Sequence, residues 1–249
     1  MSAPALPETA PAWRILQLDV VSSTNDVAGK LPGWNAVVAR SQLQGRGRYR
    51  RSWVSDEGGV WLSAVLPTPG DPEAWSILPL AAGWALRETM DTFGVTGMRL
   101  RWPNDLMVER GKLAGILVER YSAETAVVGI GINYDNSPEA VQPDLAGQVA
   151  RLRDLIDPTP ARETVVVQLL AHLAIAQNHI ASGRASEMLP ALNAAWKIGR
   201  VAVATPSSER QIVGMFLGVD ERGRLLLETE NGAPICLPPN EVEILRELP

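Results

Sequence analysis

The chain has 249 residues, 46% of them hydrophobic and 20% charged, with a net charge of -5. This describes a soluble globular chain with a sizeable core, one large domain or a medium and a small one, and it argues against general nucleic-acid affinity while leaving room for a local basic site. One cysteine (Cys236), two histidines (His172 and His179), an N-terminus unlike a signal peptide and the lack of an apolar stretch near the ~20 residues a bilayer requires exclude an intrachain disulfide and a Cys- or His-built metal centre, and predict a reducing, cytoplasmic setting without a membrane span.

Residues 13–20 are an apolar strand candidate, followed by Ser22-Ser23-Thr24-Asn25-Asp26, a run of helix N-cap types that predicts a short helix through Ala28. Residues 36–39 read as a second strand. Residues 41–52 are polar, aperiodic and rich in Gly and Arg, hence a loop. Residues 60–66 form a buried-type strand. Asp71-Pro72-Glu73 starts a helix, with proline in the first turn and acids near the positive dipole end; Trp75, Leu78, Ala82, Leu86 and Met90 carry it to about Phe93 at helical spacing. Strands follow at 98–102, 106–108, 113–121 and 125–132. Residues 136–157 read mostly as loop, 162–181 as a strongly amphipathic helix and 186–196 as another. From Arg200 the pattern changes to short apolar runs at 201–204, 211–219, 224–228, 235–237 and 242–245, with Asp220-Glu221-Arg222-Gly223 as a hairpin turn. These predict a small antiparallel barrel, with the boundary near Gly199.

Three segments carry chemistry. Gln44-Gly45-Arg46-Gly47-Arg48-Tyr49-Arg50-Arg51-Ser52-Trp53 packs four arginines into six residues, two of them flanked by glycine. Ordering such a loop is costly in entropy and repulsion, and an anion relieves both. It reads as a mobile phosphate-ordered loop, or alternatively as a solvated basic loop or RNA-contacting arm. The second segment is Arg101-Trp102-Pro103-Asn104-Asp105, followed by Gly111-Lys112-Leu113-Ala114-Gly115-Ile116-Leu117. A lysine opening a buried strand can aim its ammonium into a cleft, and Gly115 within that strand marks a close approach. The alternatives are a turn at Asn104-Asp105 and a snorkelling surface lysine. The third is Gly129-Ile130-Gly131-Ile132-Asn133, whose glycines strip one strand face without forming a dinucleotide fingerprint.

In this order and spacing the segments resemble the biotin protein ligase family. Ser23-Thr24-Asn25 matches its Ser-Thr-Asn, Gly45 to Trp53 its Gly-Arg-Gly-Arg loop ending in Trp, Arg101 to Asp105 its Lys-Trp-Pro-Asn-Asp, Lys112 to Leu117 its Lys-Leu-Ala-Gly-Ile-Leu, and Gly129 to Asn133 its Gly-x-Gly-x-Asn. Gly218-Val219-Asp220 and Gly223 to Glu228 resemble its small terminal domain. The likeness covers roughly residues 16–245. It departs at Tyr49-Arg50-Arg51-Ser52, where one Gly of a further Gly-Arg is lost, at Arg101 for lysine and at Asn240 for glycine.

The resemblance implies an α+β fold: a mixed β-sheet flanked by helices (residues 1–198), then a small SH3-like β-barrel (residues 199–249). With about a dozen residues before the first strand, it implies the short form without an N-terminal DNA-binding domain, hence no DNA partner. The implied enzyme is an ATP-dependent, AMP-forming biotin ligase, which makes biotinyl-5′-AMP and transfers biotin to a lysine of a biotin carboxyl carrier protein, with Mg²⁺ accompanying ATP. Lys112, Arg46 and Arg48 are the implied catalytic cations. Ser23, Thr24, Asn25, Gln44, Gly45, Arg46, Lys112, Gly115 and Leu117 are implied for biotin; Arg48, Trp53, Asn104, Asp105, Gly131 and Asn133 for the nucleotide, with Trp53 stacking and Asn133 contacting adenine. Asp105 is expected to hold Mg²⁺ or to orient a neighbouring base. A homodimer through the catalytic sheet is a further expectation. The alternatives are a lipoate protein ligase of the same fold, or a non-catalytic ligand- or RNA-binding protein using the arginine loop.

Overall fold

The computed structural model describes residues 11–196, 199–205 and 211–248. The main sheet has seven strands, each placing alternate residues on opposite faces. In chain order its strands are β1 (Arg14–Val21), then, after α1 (Thr24–Ala28), β2 (Asn35–Gln42) and β3 (Val60–Pro67). After α2 (Leu78–Thr92) come β4 (Met98–Arg101), β5 (Asp105–Val108), β6 (Gly111–Arg120) and β7 (Thr125–Ile132). They lie in the order β1-β2-β3-β7-β6-β5-β4; β1 runs parallel to β2 and every other pairing is antiparallel. One face carries Leu62, Ala64, Leu66, Ala114, Ile116, Val128, Ile130 and Ile132 into the core. The short α3 (Pro138–Val141) and α4 (Leu152–Leu155) occupy the stretch expected to be mostly loop. They are followed by α5 (Arg162–Ala181), which packs with α2 over that apolar face. The opposite face carries α1 over a smaller apolar cluster of Ala28, Val37, Val65 and Val127.

Two helices start later than expected, both at prolines. The helix expected from residue 71 to 93 begins as a 3₁₀ segment, Pro72–Ile77, and restarts as α2 at Leu78. Residues 186–196 likewise divide into a 3₁₀ turn, Ala185–Met188, and α6 (Leu189–Ala195). Pro79 and Pro190 lie in the first turns of α2 and α6; lacking an N–H, each is suited to a start and not to an interior. Helix α5 is apolar around most of its circumference and, at 20 residues, is long and apolar enough to cross a membrane, which corrects the expectation that no such stretch exists. Most of it is buried, with Val165, Leu169, Leu173 and Ala176 in the common core. It is therefore the central helix of the fold rather than a one-sided surface helix.

The second sheet is antiparallel, formed by β8 (Arg200–Ala204), β9 (Ile212–Val219), β10 (Leu225–Thr229), β11 (Pro234–Leu237) and β12 (Ile244–Glu247) in the order β11-β10-β9-β8-β12. The expected turn at Asp220–Gly223 joins β9 and β10, with Asp220 N donating to Arg224 O at 3.1 Å. The two sheets share one continuous apolar core: Val201, Val203, Val219, Leu225 and Leu227 join the cluster formed by α2, α5 and the main sheet. Polar contacts cross the junction as well. The buried Trp102 indole donates to Gly223 O at 3.1 Å, Ser76 Oγ to Arg222 O at 2.9 Å, and Val219 N to Asn193 Oδ1 at 2.9 Å. Trp102→Ala is expected to remove about 3–5 kcal/mol of stability and to leave Gly223 O without its donor. Urea unfolding followed by far-UV circular dichroism would measure the loss.

Candidate active site

The site lies on the sheet face that carries α1, and its geometry follows from strand parity. On β6 the even positions Ala114 and Ile116 face the core, while Gly115, Leu117 and Glu119 face the site. Regular alternation would turn Lys112 toward the core with Ala114. A register shift between β5 and β6 prevents this: Leu106 pairs with Ala114, but Met107 pairs with Lys112. The extra residue changes the parity and aims the lysine at the site. Its backbone is pinned on both sides. Lys112 N donates to Gln148 O at 2.8 Å, and Lys112 O accepts from Ala150 N at 3.1 Å and Asn133 Nδ2 at 2.9 Å.

The Lys112 ammonium lies 2.6 Å from Asp105 Oδ1 and 4.7 Å from the centre of the Trp53 ring. The other Asp105 oxygen is 2.6 Å from Arg101 Nη2. Burial would push the Asp105 carboxyl up, but the charges of Lys112 and Arg101 hold it below the usual carboxylate range. The Asp105 carboxylate thus already serves two cations.

Trp53 lies on bare backbone. A β-carbon on Gly131 would come within 2.5 Å of its indole Nε1, and one on Gly115 within 3.1 Å of its ring. The ring stands between two cavities. The smaller, about 50 Å³, is lined by Ser23, Thr24, Asn25, Gln42, Arg46 and Lys112, among others. The larger, about 440 Å³, includes Arg48, Trp53, Asn104, Asp105, Lys112 and Asn133 and extends to Glu243–Arg246 beside the second sheet. Lys112 and Trp53 line both.

Ser23, Thr24 and Asn25 are buried, and Ser23 makes no side-chain capping bond to α1. Residue types expected as caps instead face a cavity. Gln42, not Gln44, completes this wall: its Oε1 accepts from Thr24 N at 2.8 Å and Thr24 Oγ1 at 3.0 Å, and its Nε2 donates to Ser55 Oγ at 2.9 Å. Gln44 is exposed and bonded to Ser22 Oγ, outside the cavity lining. Gly45 also lies outside it, its Cα hydrogens packed toward Trp53 O and Ser55 Oγ. Asn25 is packed onto Gly129, whose missing side chain leaves room for Asn25 Oδ1, and Ser63 Oγ lies 2.6 Å from that oxygen. Ser63 and Gln42 went unnoticed in the sequence because both occupy otherwise unremarkable strands.

The arginine loop is held by the protein's own carboxylates and backbone carbonyls. Gly45 and Trp53 pair through Trp53 N to Gly45 O at 2.9 Å, making the loop a narrow hairpin with a 3₁₀ tip at Arg48–Arg50. Arg46, expected to meet a carboxylate or phosphate of the substrates, is paired with Asp26 at 2.7 Å and Glu119 at 2.9 Å. Arg48 donates to Pro239 O and to Val242 O, the latter at 2.9 Å, and Tyr49 donates its hydroxyl proton to Val242 O at 2.8 Å. Tyr49 and Arg50 hold left-handed backbone, φ +54° and +57°. The amide of Asn133, expected against adenine, is used within the protein: Nδ2 donates to Lys112 O and Oδ1 accepts from Asn136 Nδ2 at 3.0 Å. Asn104 Nδ2 donates to Ile116 O at 2.8 Å.

Comparisons with known proteins agree in direction. The family model described as Biotin/lipoate A/B protein ligase family matches residues 18–135, and that of the biotin protein ligase C terminal domain matches residues 200–244. The chain is similar to the biotin--[acetyl-CoA-carboxylase] ligase of Mycobacterium tuberculosis, at 32% identity over 94% of this chain and 90% of that one. It is also similar to the enzyme of the same name from Paracoccus denitrificans, at 30% identity over 88% and 96%. Among solved structures it is similar to the biotin protein ligase of Aquifex aeolicus in complex with biotin and ATP, with a TM-score of 0.80, 26% identity and coverage of 94% and 99%.

Gly131→Ala places a methyl group where the indole now lies, so the loop is expected to lift. Limited trypsin digestion would then cut at Arg46, Arg48, Arg50 and Arg51 several-fold faster than in the parent chain.

Proposed function

The chain belongs to the biotin protein ligase family, and from that premise we propose that it forms biotinyl-5′-AMP from biotin and ATP and passes biotin to a lysine of a biotin carboxyl carrier protein. The observation that carries this reading is the lysine shared by two cavities. Lys112 borders a small chamber walled by buried hydrogen-bonding side chains and also a large one bordered by further cations.

We assign the small chamber to biotin. A ureido head needs aimed donors and acceptors within apolar walls, and Ser23, Thr24, Asn25 and Gln42 supply them, with Leu117 and Gly115 lining the path toward Lys112. At about 50 Å³ the chamber is far below the roughly 300–1,000 Å³ of ligand sites, so biotin enters as the Trp53 loop withdraws. The large cleft takes ATP, with Trp53 at its inner wall, Arg48 and Lys112 toward the phosphates, and Asn104 in its lining; Gly131, expected at the nucleotide, lies under Trp53 and lines the small chamber instead. Asn133 supports this site by holding the Lys112 backbone.

In the first step a biotin carboxylate oxygen attacks the α-phosphorus and pyrophosphate departs. Two anions must approach, and charge grows on the α-phosphate oxygens as they do. A cation fixed beforehand lowers that barrier because it need not reorganise. Asp105 holds the Lys112 ammonium in place. In the second step the carrier lysine's amine attacks the acyl carbon and AMP leaves. Mg²⁺, which neutralises phosphate charge, fits as an ion carried by the phosphates and water; of the two carboxylates lining the cleft, Asp105 is shared between Lys112 and Arg101, and Glu243 pairs with Arg51. The mixed anhydride is sensitive to water, and the hairpin loop with Trp53 excludes it.

Incubating the protein with ATP, Mg²⁺ and either biotin or lipoate, followed by mass spectrometry, tests the reading. Biotinyl-adenylate with pyrophosphate is expected; lipoyl-adenylate, or neither product, would sink it. Lys112→Ala is expected to keep measurable biotin binding while slowing adenylation by roughly 10²-fold or more, as read by pyrophosphate release. Near-normal release would remove Lys112 from its role.

A further inference from the structure

The mechanism above leaves one group of charges unused. Lys112 and Glu119 lie seven residues apart on β6, a separation of roughly 20 Å along a strand. Around Glu119 are Asn25 and Asp26 of α1, Arg46 of the hairpin loop and Tyr121. Glu119 Oε2 accepts from Asn25 Nδ2 at 2.7 Å and from Arg46 Nη2 at 2.9 Å, and Oε1 accepts from Arg46 Nε at 3.3 Å. Asp26 closes the other side of the guanidinium, and the Tyr121 hydroxyl lies 3.2 Å from Asp26 Oδ1 and 3.3 Å from Glu119 Oε2. Burial and the Glu119 charge push that phenol up to about 12, so it remains a donor.

The consequence falls on Asn25. An asparagine amide can be turned end for end at little steric cost, exchanging its donor and acceptor. Here the two ends are distinguished. Nδ2 faces a carboxylate, and Oδ1 faces the Ser63 hydroxyl in the space left by Gly129. Turning the amide would set its oxygen against Glu119. Glu119 also holds Arg46, at the root of the loop that covers the chamber. The Arg46–Glu119 pair, made through two hydrogen bonds, fixes the geometry of the loop root.

Given that the small chamber is the biotin site, we propose that Glu119 is a positioning residue for biotin. It does not line the chamber; it sets which end of the Asn25 amide is the donor and fastens the loop root beside it through Arg46. The same carboxylate thus links recognition of the head group to closure of the loop, with no part in the phosphate chemistry at the far end of β6.

The test compares Glu119→Gln with Asp26→Asn in steady-state adenylation, varying biotin and ATP separately, alongside thermal unfolding and calorimetric biotin binding. Glu119→Gln removes the charge that orders Asn25 and is expected to raise KM and Kd for biotin roughly tenfold, with much smaller changes in KM for ATP and in kcat and an unfolding temperature close to the parent's. Asp26→Asn loosens Arg46 without touching Asn25 and is expected to raise biotin KM less. Unchanged biotin affinity in Glu119→Gln would overturn the proposal, as would an equal weakening for both substrates or a loss confined to kcat. A parent protein that makes no biotinyl-adenylate would fail the underlying assignment instead, whereas a fully active parent with an indifferent Glu119→Gln fails this proposal alone.

Discussion

Everything at this site depends on keeping one ammonium group on the correct side of a sheet. The strand that carries Lys112 has its even positions committed to the core, and lysine is an even position. The irregular pairing of Leu106 and Met107 with Ala114 and Lys112 resolves that conflict in the backbone. The ion pair with Asp105 then secures the outcome. The Lys112 and Arg101 charges hold that carboxylate ionised, so it stays in place as the ammonium's partner.

The rest of the face is arranged around that cation by subtraction. Gly115, Gly129 and Gly131 are adjacent across β6 and β7, and the space where their side chains would be is taken by Trp53 and Asn25. One strand pair thereby seats both an aromatic wall and a hydrogen-bonding wall. Charge is divided along the same strand: carboxylates gather at the Glu119 end, and cations dominate toward the Lys112 end. A substrate with a neutral polar head and an anionic tail has one favourable orientation in such a channel.

Much of this was legible in the sequence, because the elements follow strong local signals. Short apolar runs marked the strands of both sheets, and Asp220 to Gly223 marked the β9–β10 hairpin. The glycines of β6 and β7 signalled close approach before the approaching group was known. Pairing, however, depends on a partner that local pattern does not specify. The bulge arises between β5 and β6, so nothing in residues 111–117 alone shows that Lys112 reverses its face. Gln42 and Gln44 have the same chemistry and the same parity, and only their tertiary partners put one in the wall, against Thr24, and the other in solvent, against Ser22. Arg46 looked free because its partners, Asp26 and Glu119, are 20 and 73 residues away. The buried, capless Ser23 shows the reverse case, in which a residue read for a local role is withheld from it for the site.

The loop tip has one more consequence. Tyr49 and Arg50 adopt a backbone shape that glycine reaches freely and that costs other residues on the order of 1 kcal/mol each. Glycine there would make the bent shape easy and the wandering of the released loop extensive. Side chains at both positions reverse the balance: the released loop explores fewer shapes, and the bent one is held like a sprung catch by the carbonyls of Pro239 and Val242. In such a catch the second sheet is part of the lid's hinge energetics, and the ease of opening is set as much by residues 239–242 as by the arginines themselves.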